Sequence, residues 1–157
     1  MKRVATPVLV SSCLLGLRTR YDATDNRNEQ VFEYLKRNDL IPIPVCPEQL
    51  AGLPTPRPKC WFRCGDGADT LNGTGELTDE HGRDVAQAFL HGAEEALKVA
   101  RLSNCQAAIL QQRSPSCGTR IIYLNEVKTA GIGVTAALLK QNGLRVLGDD
   151  ELTEAGL

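Results

Sequence analysis

The sequence predicts an α/β layer fold built on a mostly parallel sheet. Three observations carry that expectation. Short Val-, Leu- and Ile-rich runs recur along the chain, helix-periodic segments separate them, and several of the links are short. The runs are apolar throughout rather than alternating, as strands are when both faces of a sheet are covered.

Pro7 to Ser12 is the first such run and predicts a buried strand. Its surroundings imitate a bacterial lipoprotein signal, with Lys2-Arg3, an apolar stretch and then Val10-Ser11-Ser12-Cys13. The stretch from Val4 to Val10 contains Pro7 and sits at the short limit of a signal core, so a strand leading into a functional loop is the better expectation. Asn28 to Lys36 predicts a helix with Val31, Phe32 and Leu35 on one face and Asn26 or Asn28 as its cap. Leu40 to Val45 predicts a strand, which Pro42 and Pro44 push to an edge or an irregular position. Pro47 to Gly75, rich in Pro and Gly, reads as a long ordered loop or flap. Val85 to Leu102 is the clearest helix, with Asp79 or Asp84 available to cap it. Ala107 to Gln111 predicts the next strand, and Val134 to Gln141 a helix stopped by Asn142-Gly143. Leu144 to Leu147 predicts the last strand.

At 157 residues the chain fits a single domain, 1–157, able to bury roughly 70% of the surface an unfolded chain exposes. Apolar residues are 42% and charged residues 24%, which excludes disordered and collagen-like classes. Eighteen Lys and Arg against nineteen Asp and Glu give a net charge of -1, so no positive excess exists to hold a phosphate backbone. With aromatics at only 4%, no stable nucleic-acid partner is expected. No run approaches the ~18–20 apolar residues of a membrane span. The expected location is cytoplasmic, where thiols stay reduced and clustered cysteines point to metal binding or catalysis.

Three of the six cysteines share a topological address. Cys13 follows the first strand, Cys46 follows the second, and Cys117 lies in Ser114-Pro115-Ser116-Cys117-Gly118 beyond the third. The carboxyl ends of parallel strands line one crevice, so residues far apart in sequence converge there. Three thiolates suit a catalytic zinc with an open position, or an iron–sulfur cluster with one iron short of a protein ligand. Glu48, two residues past Cys46, is placed to move protons, and the Ser114 hydroxyl to bond a substrate; a loop ion pair and a turn are their plainer roles. Cys60 and Cys64, spaced C-x-x-x-C, are expected to be structural or peripheral. Cys105 is expected to pack, and His81 and His91 to be solvated. Gly131-Ile132-Gly133 before a helix is a weak candidate anion cradle.

Taken in order, the motifs Val10-Ser11-Ser12-Cys13-Leu14-Leu15-Gly16, Arg20-Tyr21-Asp22, Pro44-Val45-Cys46-Pro47-Glu48, Gly52-Leu53-Pro54-Thr55-Pro56-Arg57, Ser114-Pro115-Ser116-Cys117-Gly118 and Gly133-Val134-Thr135-Ala136-Ala137-Leu138-Leu139 resemble the thiouracil desulfidase family over nearly the whole chain. The resemblance implies a Rossmann-like three-layer fold and a [4Fe–4S] cluster on Cys13, Cys46 and Cys117, its fourth iron open for the sulfur of a thiolated pyrimidine. It implies a non-redox reaction in which thiouracil and water give uracil and hydrogen sulfide, with Glu48 and Ser114 catalytic.

Departures from the family are local. Lys59-Cys60-Trp61-Phe62-Arg63-Cys64 stands where acidic and apolar residues are more usual, Ala23 replaces a common glycine, and Tyr123 to Gly131 is shorter. If Cys60 or Cys64 completed the cluster, its role would become structural or electron transfer; the alternative function is a non-catalytic metal or redox sensor using Cys60 and Cys64 with the other thiols. Larger relatives that act on thiolated transfer RNA carry a second domain, for which this chain has no room. A free base or nucleoside is therefore the expected substrate.

Overall fold

In the computed structural model, residues 4–152 are described; Lys2 and Arg3 of the signal-like stretch lie outside the described residues. The first sheet is made of β1 (Thr6–Ser11), β2 (Leu40–Val45), β5 (Ala107–Leu110) and β8 (Arg145–Gly148). It is parallel throughout and has the order β2-β1-β5-β8. The expected buried first strand is present, with Val8, Leu9 and Val10 all fully buried. Pro42 and Pro44 have no N–H to donate, and β2 is accordingly an edge strand.

Helices cover both faces, as the uniformly apolar strands require. Val8, Val10 and Ile109 pack on α1 (Glu29–Arg37) through Val31, Tyr34 and Leu35. Leu9, Ala108 and Leu110 face the other way, onto α4 (Ala86–Leu102) and α5 (Val134–Gln141). This is the α/β three-layer arrangement with a mostly parallel sheet. Asn28, not Asn26, caps α1 by accepting from the Gln30 N–H at 2.9 Å. Asp84 accepts from the Ala86 N–H at the start of α4, at 2.9 Å.

The segment from Pro47 to Gly75 is not the continuous loop its composition implied. It holds α2 (Pro47–Leu50), β3 (Cys60–Cys64) and α3 (Gly67–Leu71). With β4 (Glu76–Asp79), β6 (Ile121–Leu124) and β7 (Val127–Ala130), β3 forms a second sheet of order β4-β3-β6-β7. Phe62, Leu77 and Ile122 of that sheet pack on Phe89 and Ala93 of α4 and Val134 of α5. The two helices are thus clasped between the sheets. The physical reason the strands escape the sequence is their shortness: in β3 only Phe62 is fully enclosed, and the turn joining β6 to β7 is Asn125-Glu126, both at positive φ (47° and 65°), where glycine would normally advertise it. The short Tyr123 to Gly131 stretch is this tight hairpin.

Candidate active site

In the first sheet, the chain leaves β1 for β2 on one side and returns to β5 on the other. The crevice above β1 and β5 is the switch point at which such sheets bind ligands. A cavity of about 570 Å3 lies there, lined by Cys13, Cys46 and Cys117, and also by Glu48 and Ser114. All five expected site residues therefore meet in one place.

Each thiol is delivered by a different local device. Cys13 sits in a 3-10 turn (Ser12–Leu15) that begins as β1 ends, closed by Gly16 at φ 94°. Cys46 is the residue before α2, whose first position is Pro47, a proline preset for helix entry and needing no N–H partner there. This turn lies against α4 so closely that a Cβ on Gly92 would come within 2.1 Å of the Pro47 carbonyl oxygen. Cys117 lies in a loop bound to the start of α5, with Val134 N–H donating to Pro115 O and Ala136 N–H to Ser116 O. Gly133 permits that approach, since a Cβ there would meet the Ser116 carbonyl at 2.5 Å. Gly131 and Gly133 spend their own N–H groups on Arg120 O and Gly118 O, so this glycine pair anchors the cysteine loop and is not an anion cradle.

The far side of the same loop hangs on Gln112, which is buried. Its Oε1 accepts from the N–H groups of Thr119, Arg120 and Ile121 at 2.8, 2.8 and 3.0 Å, and its Nε2 donates to Thr119 Oγ1 and Asp150 Oδ1. Ser114 fills the turn role, the plainer of its two. Its Oγ accepts from the N–H groups of Ser116 and Cys117, each at 3.1 Å, and it also faces the cavity. Those bonds occupy its lone pairs and leave its O–H to donate.

Glu48 is held from two sides. Arg57 Nε donates to its Oε1 at 3.0 Å and Ser116 Oγ to its Oε2 at 3.3 Å. Arg57 and Ser116 stand inside motifs the sequence singled out, yet only the fold shows that both serve the same carboxylate. Trp61, Tyr123 and Glu126 bring the second sheet and its hairpin to the cavity wall, beside Gln111 just past β5 and Asn26 from the loop before α1. Cys60 also lines the cavity, whereas Cys64 is exposed and does not. Cys105 is buried in the core, and both histidines are exposed, as expected.

The thiols are electrostatically coupled. Burial pushes Cys13 up to about 12, and neighbouring Cys46 adds to the rise. Burial likewise lifts Cys117 far above the usual thiol range, with Cys46 and Cys13 contributing, and raises Cys46. Three thiolates cannot coexist here without a positive charge among them. Among the described residues no three His, Cys, Asp or Glu side chains converge tightly enough to hold one metal ion. The sulfurs instead line the walls of a space large enough for a multi-atom group. Soft thiolate donors around such a space are the ligand type an iron–sulfur cluster takes.

The 2-thiouracil desulfurase family model matches residues 8–151, from β1 to just beyond β8. The chain belongs to the 2-thiouracil desulfurase family. The matched span includes every residue of the cavity named above. An uncharacterized protein of Bacillus subtilis (strain 168), YbbK, is 39% identical over 150 residues, which cover 94% of this chain and 98% of that one. A solved structure, that of the [4Fe–4S]-dependent thiouracil desulfidase TudS, superposes with a TM-score of 0.80 at 35% identity and covers 95% of this chain and 94% of its own. No helix among the described residues is long and apolar enough to cross a membrane.

Proposed function

We propose that this protein is a cytoplasmic [4Fe–4S]-dependent desulfidase that converts a thiolated uracil, as 2- or 4-thiouracil or its nucleoside, to uracil and hydrogen sulfide. The observation that carries the reading is the meeting of Cys13, Cys46 and Cys117 with Glu48 and Ser114 around one cavity at the switch point. The solved relative, itself a [4Fe–4S]-dependent thiouracil desulfidase, supports it.

Cys13, Cys46 and Cys117 would hold the cluster. When bound, the cluster supplies a soft Lewis-acidic iron that polarises a thiocarbonyl and improves sulfide as a leaving group. The chemistry is a hydrolysis: water oxygen bonds to the ring carbon, the C–S bond breaks, and sulfur departs with both water protons. Glu48 takes the first proton from the attacking water, its carboxylate held in one orientation by Arg57 and Ser116. The Ser114 O–H donates to the ring as charge develops beside the reacting carbon. Trp61 and Tyr123 offer flat apolar surface to a pyrimidine.

The test is anaerobic reconstitution with iron and sulfide quantitation, alongside hydrogen sulfide release from 2- and 4-thiouracil. The wild type should take up about four iron per chain and turn over, whereas Cys13→Ser, Cys46→Ser and Cys117→Ser should each lose both. Full turnover by iron-free protein would end the cluster reading. A loaded protein that releases no sulfide from any thiolated uracil or nucleoside would end the substrate reading.

A further inference from the structure

The geometry points to Arg57 as the positioning residue of this site, fixing the Glu48 carboxylate and the Cys46 sulfur relative to each other through one guanidinium. The inference rests on the roles proposed for Cys46 and Glu48 above. Arg57 lies seven residues beyond the only turn of α2, yet its side chain is 4% exposed and reaches back over that turn. All three guanidinium nitrogens are engaged. Nε donates to Glu48 Oε1 at 3.0 Å; Nη1 donates to Thr55 Oγ1 at 3.0 Å and Pro54 O at 3.4 Å; Nη2 donates to Thr19 O at 2.9 Å and lies 4.0 Å from Cys46 Sγ. The Arg57 backbone N–H donates to Tyr21 O at 2.7 Å, so the residue also ties the 19–21 segment of the cavity wall to the turn.

Two physical features make this more than packing. The guanidinium is a rigid planar fork, so a displacement at one nitrogen is felt at the other two. A buried cation beside both a carboxylate and a cysteine sulfur also acts on whatever that sulfur ligates. Thr19 O lies 3.7 Å from Cys46 Sγ as an acceptor. Once Cys46 is a ligand its sulfur only accepts, and Arg57 Nη2 is then the donor that keeps two acceptors side by side. Hydrogen bonds to ligand sulfurs raise the reduction potential of an iron–sulfur cluster. Arg57 therefore leaves a signature on the cluster that is independent of turnover.

The experiment compares wild type, Arg57→Met and Arg57→Lys after anaerobic reconstitution, measuring iron per chain, kcat and KM per loaded cluster, and the cluster's reduction potential. In Arg57→Met, kcat per cluster should fall about 10- to 100-fold, with KM within about twofold and the potential moved negative. Arg57→Lys, which keeps a charge but not the fork, should recover part of the potential and little of kcat. A loss of cluster content or melting temperature alone, with kcat per cluster and potential unchanged, overturns the inference. Should Arg57→Met fail to fold, Arg57→Lys decides, and wild-type kcat per cluster in that variant overturns it equally. Wild-type protein that takes up no cluster removes the functional reading and this inference together, and the iron count shows it before any variant is compared.

Discussion

Replacing Glu48 separates what the site needs for chemistry from what it needs to stay folded. The Glu48 and Arg57 side chains are 13% and 4% exposed, so their ion pair is largely withdrawn from water. Glu48→Ala leaves a buried guanidinium without its carboxylate, a change that costs about 3–5 kcal/mol when a pair is wholly enclosed. Arg57 keeps Thr19 O, Thr55 Oγ1 and Pro54 O, and the cavity admits water, so the lower end, about 3 kcal/mol, applies here. In a chain of this size that lowers Tm by about 6–12 °C. Glu48→Gln keeps an acceptor facing Arg57 Nε and should cost only about 1–2 kcal/mol, the worth of the lost charge assistance. Both variants remove the proton acceptor, so both should lose about 10²–10³-fold in kcat, equivalent to about 3–4 kcal/mol of barrier. Anaerobic sulfide release per cluster and thermal melts on the same preparations measure the two effects. A well-folded, loaded Glu48→Gln variant turning over within about threefold of wild type would refute the assignment of Glu48 as the base.

Other consequences are separable from the chemistry. Gln112→Met removes one acceptor serving three backbone N–H groups, of which those at the exposed Arg120 and the half-exposed Thr119 and Ile121 can partly recover water; a loss of about 3 kcal/mol in denaturant unfolding is expected, and a loss under about 1 kcal/mol would contradict the role of Gln112 in holding the loop. Ala23 holds φ 62°, a left-handed conformation that costs an alanine about 1 kcal/mol, so Ala23→Gly should stabilise by up to about that amount and raise Tm by about 2–4 °C; a fall in Tm would show that unfolded-state entropy wins. Burial raises the Asp79 carboxyl, but hydrogen bonds from the Arg83 and His81 N–H groups outweigh it and hold its pKa below the usual range. Its folded value is depressed, so its stabilisation is present above the unfolded value of about 3.9 and lost as pH falls through the folded one. Asp79→Asn should therefore melt below wild type at neutral pH and converge with it in acid, and a gap independent of pH would refute the sign.

The first sheet was legible because burial on both faces writes itself into composition. Val8-Leu9-Val10 and Ala107 to Leu110 contain no polar residue, and the helices between them repeat at helical spacing. The second sheet carried no such record. Its strands are four or five residues long, and β3 shows no clean alternation, with Cys60 and Trp61 half-buried and Arg63 and Cys64 exposed. Prolines before β3 and glycines after it shifted the whole segment towards the composition of a loop. What makes these strands stable is tertiary: Phe62, Leu77 and Ile122 press on the back of α4 and α5, a surface the sequence assigned to helices without saying what covered it.

The same distinction explains the site. Cys13, Cys46 and Cys117 could be grouped because each follows a strand of the legible sheet, and parallel strands end on one side. The residues that hold Glu48 and the cysteine loop could not be grouped that way. Arg57 arrives from the stretch that read as a flap, Ser116 acts across the crevice from a loop on the far side of β5, and Gln112 works by side-chain bonds to backbone that leave no periodic trace. Cys60 was expected at the periphery because its spacing to Cys64 matches no metal motif, yet β3 turns the first of the pair towards the cavity and leaves the second exposed. Spacing along the chain tells only which thiols are neighbours in sequence. A second sheet decides which of them share a wall, and it brings Trp61 and Tyr123 to the same cavity.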